Sequence, residues 1–271
     1  MAETNPAEAA TQPAGAAIPE LFARHGSSLH ALGLRICGTP EEADDLVQET
    51  FLRAFRKWDQ FEGRASPKTW LYSIAARVCI RLHRKRAGEP RTLESFSELL
   101  PSGQKRIPEI PSPDEKPDDL VLRGELNSAV GAAISRLPLH FQLPLVLKDL
   151  ADFSVADVAR VLGLKEATVK TRVHRARLFL RKEMAAGLPH REAGEPDHPK
   201  QVCLDLLKAK QEALDRGVDF PLADEQLCDR CRSLFSTLDL TFDLCQELAR
   251  GPLPERLRLE VEKVFSAEPN H

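Results

Sequence analysis

Six cysteines occur in 271 residues, and four of them fall in the last third of the chain. Cys228 and Cys231 form a C-x-x-C pair, Cys203 lies 25 positions before it, and Cys245 follows 14 positions after it. Four thiolates complete a tetrahedral shell for a soft or borderline cation, so the set 203, 228, 231 and 245 predicts a site for Zn²⁺ or Cd²⁺, with Cu(I) as a further candidate. His190 and His198 stand in the preceding Pro-containing stretch as alternative ligands. The spacing leaves three uses open: a metal sensor, a structural zinc module, or a thiol–disulfide switch. Cys37 and Cys79 lie in apolar helical patterns and read as ordinary buried thiols.

The rest of the chain must position that site and give it something to control. Hydrophobic residues make up 42% and charged residues 29%, and Pro (20) outnumbers Gly (14), which predicts helices separated by Pro-marked breaks. No apolar run approaches the ~20 residues that span a bilayer, and the small-residue N-terminus lacks the pattern of a signal peptide. A cytoplasmic protein with reduced thiols is expected. No nucleophile–base pair, phosphate-binding glycine loop or carboxylate dyad is present, so no enzyme is predicted.

The net charge of −3 hides local asymmetry. Residues 41–49 carry five acids and no base, and residues 77–86 carry five Lys/Arg and no acid: Arg77, Arg81, Arg84, Lys85 and Arg86. Residues 165–183 carry seven Lys/Arg against two Glu. Two basic helical segments in a chain of negative net charge point to nucleic acid.

Helical spacing runs through residues 19–37. Thr39 and Pro40 mark the start of a second helix with acids in its first turn. Residues 68–86 form a third, starting apolar and ending basic. Residues 87–119 are rich in Pro, Ser and acids without periodicity, and no segment reads as a strand. Residues 154–183 read as a helix-turn-helix, with Gly163 in the turn and Val169, Val173, Ala176 and Leu180 facing inward. Lys170, Arg172, Arg175 and Arg177 are left to face outward, where such a helix enters a major groove.

Residues 43–75 ("ADDLVQETFLRAFRKWDQFEGRASPKTWLYSIA") and 134–184, with "TVKTRVHRAR", together resemble the extracytoplasmic-function (ECF) sigma factors of bacterial RNA polymerase, in their regions 2 and 4. The resemblance implies an all-α protein. It comprises a disordered leader (1–17), region 2 (18–87), a linker (88–119), region 4 (120–186), a second linker (187–199) and a helical Cys-rich domain (200–271). It implies that Asp44, Asp45, Gln48, Glu49 and Arg53 dock on the polymerase β′ coiled coil, with region 4 at the β flap. The loop from Phe61 to Thr69 would read the −10 element, with Trp70 in the core. Arg77, Arg81, Arg84, Lys85 and Arg86 would hold phosphate, and the helix with Lys165, Thr168, Lys170, Arg172, Arg175 and Arg177 would read the −35 element of promoter DNA.

Arg77 and Arg81 stand where the family often has Asn and Asp, and Lys165 where a small capping residue is usual. The tail resembles the Cys-rich domain of CorE-type sigma factors. That implies a metal that activates transcription and no need for a separate anti-sigma factor. It also resembles the zinc-binding anti-sigma fold, but Asp224 replaces that fold's His ligand. The competing reading is a free-standing helix-turn-helix regulator that never joins polymerase.

Overall fold

The computed structural model describes residues 6–83, 92–95, 99–100, 106–109, 119–195, 197–223 and 226–267. The chain is helical, as expected. Its helices are α1 (Pro6–Ala9), α2 (Ala14–Ile36), α3 (Pro40–Arg56), α4 (Pro67–His83), α5 (Asp119–Arg136), α6 (Leu139–Leu145), α7 (Val155–Leu162), α8 (Glu166–Ala185), α9 (Lys200–Arg216), α10 (Asp229–Leu248) and α11 (Glu255–Ala267).

The chain condenses into two compact units that do not follow the expected domain order. One gathers residues 1–89, 156–166 and 249–271; the other gathers 90–155 and 167–248. The expected Cys-rich domain, 200–271, is therefore divided. Its last helix, α11, belongs to the same unit as region 2.

In the first unit, α3 starts where its caps place it. The Thr39 hydroxyl accepts from the Glu42 N–H (3.2 Å), the Glu42 carboxylate accepts from the Thr39 N–H (3.2 Å), and Pro40 opens the helix. Ser66 caps α4 through the Thr69 N–H at 3.1 Å. Gly33 lets α2 and α3 approach closely, because a Cβ there would stand 3.1 Å from that of Ala43. Ile18, Leu29, Leu46, Phe51, Leu71 and Tyr72 are fully buried, and Phe22 meets Phe51 edge-on with centroids 4.9 Å apart. The expected disordered leader is structured from Pro6 onward, and Trp58 Nε1 donates to the carbonyl of Gln12 at 2.8 Å. Burying an indole requires a partner for its N–H, and the leader supplies it.

The second unit holds α5, α6 and α8–α10 around Ile134, Leu145, Leu147 and Leu178. It also contains two short strands where the sequence pattern predicts none. β1 (Arg106–Pro108) pairs antiparallel with β2 (His190–Glu192), with Ile107 opposite Arg191. Segments expected to be two separate linkers are thus joined by backbone hydrogen bonds. The side chain of Ser233 on α10 donates to the carbonyl of Pro108 at 2.7 Å, holding β1 in place.

Between α7 and α8 the backbone turns at Gly163, whose φ is +66°, and the Leu164 N–H reaches the carbonyl of Ala159 at 2.9 Å. A left-handed residue at this position favours glycine. No helix among the described residues is long and apolar enough to cross a membrane.

Candidate functional site

The capping box of α3 fixes the rotation of its acidic residues, and each lands in a different setting. Asp45 is exposed. Asp44 lies 3.0 Å from Nε2 of the buried His30. Glu49 accepts from Arg53 (2.6 Å) and from Arg81 of α4 (3.0 Å). Burial pushes the Glu49 carboxyl up, but the hydrogen bonds from Arg53 and Arg81 outweigh it and hold the group below the usual carboxylate range. Gln48 donates to the Glu260 carboxylate of α11 at 2.7 Å.

α11 brings more than that hydrogen bond. Leu257, Val261, Val264 and Phe265 share one helical face, and Leu257 and Val261 are buried. The Phe265 ring stacks on Phe55 (6.0 Å) and meets Phe22 (5.7 Å) and Phe51 (6.4 Å) at steep angles. A cavity of about 350 Å³ remains beneath, lined by Asp45, Gln48, Glu49, Arg81, Val261 and Phe265 among others. α11 therefore packs beside the face expected to meet polymerase and engages its Gln48, while Asp45 stays exposed. The spacing 257, 261, 264, 265 is the only signal of this packing in the sequence of α11.

A second cavity, of about 210 Å³, opens beside the loop that precedes α4. Phe61, Thr69, Trp70, Ser73 and Arg77 line it, with Arg160 of α7. Trp58 and Phe61 stack at 4.8 Å, and Trp70 meets Trp58 edge-on at 5.5 Å. Trp70 is half-buried, so it belongs to this aromatic cluster and to the cavity wall together, and not to the core alone as expected. Arg77 is exposed, whereas Arg81 is committed to Glu49. Arg84, Lys85 and Arg86 lie outside the described residues.

On α8 the inward set is as expected: Val169, Val173, Ala176 and Leu180 are buried. Lys165, which precedes the helix, and Lys170 are exposed, and Thr168 and Arg172 are half-buried. Arg175 donates to the carbonyl of Glu94 at 2.6 Å, and its guanidinium lies 5.0 Å from the Phe141 ring centroid. Arg177 corrects the expectation that it faces DNA: it is 3% exposed. Its guanidinium forks onto both oxygens of Asp149 (2.7 and 2.8 Å) and donates to Asp215 of α9 at 2.8 Å. Burial alone would lower its pKa, yet the two carboxylates raise it. His174 Nε2 lies 2.8 Å from the same Asp215. Arg181, also buried, donates to Thr237 of α10 at 3.1 Å, and burial pushes it down to about 10. Asp149, α9 and α10 together set the orientations of Arg177 and Arg181, and none of them is visible in the pattern of α8 itself.

In the tail, three cysteines converge. Cys203 lies in the first turn of α9, Cys228 immediately precedes α10, and Cys231 lies in the first turn of α10. Their sulfurs are all within 4.8 Å of one another. Helix N-termini favour thiolate, whereas burial, Cys228 and Cys203 together push the Cys231 thiol well above the usual range. The convergence of three sulfurs is what suits the cluster to a thiophilic cation, which would bind with loss of the thiol protons. Cys245, expected as the fourth ligand, does not join. It shares the unbroken helix α10 with Cys231, and 14 residues of helix separate the two by about 21 Å. His190 and His198 also stand outside the group among the described residues. The thiols fit a thiophilic ion, but the four-thiolate shell is absent.

A three-helix region carrying an acidic face, with a helix-turn-helix further along the chain, defines a two-region transcription factor. Residues 21–89 match the Sigma-70 region 2 family, and residues 128–180 match the Sigma-70, region 4 family. The chain is 32% identical over 166 residues to the ECF sigma factor SigE of Mycolicibacterium smegmatis, covering 61% of each protein. It is 31% identical to SigW of Bacillus subtilis (58% of this chain, 82% of SigW) and 34% identical to SigM of Mycobacterium tuberculosis (60% and 75%). The solved structure of CnrH in complex with the cytosolic domain of CnrY is similar at 25% identity and a TM-score of 0.48, over 67% of this chain and 96% of that one. The chain belongs to the ECF RNA polymerase sigma factors, which are transcription initiation factors and not enzymes.

Proposed function

We propose that the chain is a self-regulated sigma factor that binds core RNA polymerase and directs initiation at −35/−10 promoters, under the control of metal bound by its tail. The observation that carries this reading is α11 on α3. Glu260 takes the hydrogen bond of Gln48, and Phe265 fills the aromatic cluster behind the carboxylates expected to meet the β′ coiled coil. While α11 is seated, polymerase and α11 compete for one face.

The Cys203–Cys228–Cys231 cluster supplies the control. The chain passes from α10, whose first turn holds Cys231, through residues 249–254 into α11. Metal that favours one packing of the tail over another shifts the seating of α11. Inverting a population from 1:99 to 99:1 takes about 5.5 kcal/mol of differential binding. Structural zinc sites bind with about 10–16 kcal/mol, so a fraction of that energy suffices. In this reading metal activates, and a partner protein that binds the opened α3 face would compete in the same way.

The test is the affinity of purified full-length protein for core polymerase, with run-off transcription from a −35/−10 promoter, before and after metal is added under reducing conditions. Metal is expected to raise both. Equal affinity and transcription in the two states would leave the cluster as a structural site only.

A further inference from the structure

Because three sulfurs converge and the fourth stays about 21 Å away along α10, the site differs from the four-thiolate zinc or cadmium shell expected of it. Among the described residues no His, Asp, Glu or further Cys completes the group. A borderline dication prefers four ligands in a tetrahedron. Here a dication would hold three thiolates, carry a net negative charge, and need a donor from outside the cluster. Cys228 and Cys231 are 3% and 4% exposed, so that charge would sit largely away from water.

We propose that the ligand of this site is a trivalent metalloid hydroxide, arsenite or its antimony analogue, held by Cys203, Cys228 and Cys231 alone. Trivalent arsenic takes three sulfurs in a pyramid and keeps its lone pair on the fourth side, so three converging thiols satisfy it. Thiolate softness matches it. The complex is neutral, because three thiolates balance a trivalent centre. Binding is a condensation of As(OH)₃ with three thiols. Three S–As bonds form and three As–O bonds break, and each thiol proton leaves with a hydroxyl group as water. Arsenic remains trivalent, and no oxidant or reductant takes part. Arsenite is small and uncharged at neutral pH, and half-buried Cys203 gives it the open side by which to enter.

This inference names the ligand for the control proposed above, and the two are tested by different readouts. Sodium arsenite is titrated into reduced, metal-free, full-length protein, followed by sulfur–arsenic charge-transfer absorption and native mass spectrometry. X-ray absorption then counts the neighbours of arsenic. One arsenic per chain with three sulfur neighbours is expected. Losing a mere supporting partner of a metal site costs about 10–100-fold in affinity, so Cys203→Ala, which removes a direct ligand, should cost more than about 100-fold. Cys203 is half-buried in a first helical turn, so this variant keeps the fold even if Cys228→Ala or Cys231→Ala does not. Cys245→Ala should leave arsenite affinity unchanged.

Arsenic held by two sulfurs, or zinc held with a fourth protein donor and not displaced by arsenite, would overturn the proposal. If arsenite fails to bind but zinc raises polymerase affinity, the ligand class is wrong and the metal-control reading survives. If arsenite binds the three cysteines without changing polymerase affinity, the ligand class is right and the control reading falls.

Discussion

Gln48 of α3 donates to the carboxylate of Glu260 of α11 across 2.7 Å, although 212 residues separate the two in the chain. The bond joins a residue expected to face polymerase to α11, and Gln48 also lines a cavity with Asp45, Glu49 and Arg81. One residue of the face expected to dock on polymerase is thus bonded within the chain, which makes α11 the element to disturb.

Phe265→Ala removes the ring that stacks on Phe55 and meets Phe22 and Phe51. Phe265 is half-buried, so the loss is about 1–2 kcal/mol, a factor of about 5–30 in the seating of α11. Affinity for core polymerase in the absence of metal should rise by up to that factor, while the melting of the rest of the protein changes little. Surface plasmon resonance with immobilised core enzyme measures it. A lowered affinity would mean that Phe265 contributes to polymerase binding and does not oppose it.

Arg177→Ala should act on stability first. It leaves Asp149 and Asp215 buried without their cation, and breaking such a pair costs about 3–5 kcal/mol. Urea unfolding should show the loss directly. Lys170→Ala, at an exposed position on the same helix, should keep the urea midpoint and weaken promoter binding, with a salt slope lower by about 1 if it contacts phosphate.

The Asp215 carboxyl gives a dependence on pH. Burial pushes it up, but His174 and Arg177 outweigh burial and hold it below the usual carboxylate range. A carboxyl depressed in the folded state contributes stability that is fully present above its unfolded pKa of about 3.9, and loses that contribution as pH falls through the folded value. Acid unfolding of the parent should therefore be steeper below about pH 4 than that of Asp215→Asn, which has no such proton to gain. Circular dichroism across pH 2–6 for the two proteins checks the slope, and parallel curves would contradict the linkage.

Gly163 can be tested by conformation alone. A Cβ there meets nothing within 4 Å, so Gly163→Ala introduces only the strain of a φ of +66°. The cost should be about 1–2 kcal/mol in thermal or urea unfolding, and Gly163→Asn should recover part of it, because Asn visits this region more readily. Equal stability of all three would show that the turn relaxes to another conformation.

Local patterns carried much of this protein. Thr39 and Pro40 announced the start of α3, and the 3.6-residue period of Val169, Val173, Ala176 and Leu180 announced the buried side of α8. Both are short-range matters, decided by a cap's reach and by which residues share a helical stripe. The Cys-x-x-C pair likewise marked two of the converging thiols, because its spacing spans barely one helical turn. What the period of α8 did not reveal is that Arg177 turns into a pair of carboxylates drawn from Asp149 and Asp215, 28 and 38 residues away. Nor did spacing reveal that Cys245 lies about 21 Å along the helix axis from Cys231, since the distance between them depends on α10 running unbroken. The pairing of β1 with β2 and the seating of α11 on α3 are of the same kind. Each brings together segments that alone are polar, short or merely amphipathic, and only burial in the folded chain decides which surface such a segment covers.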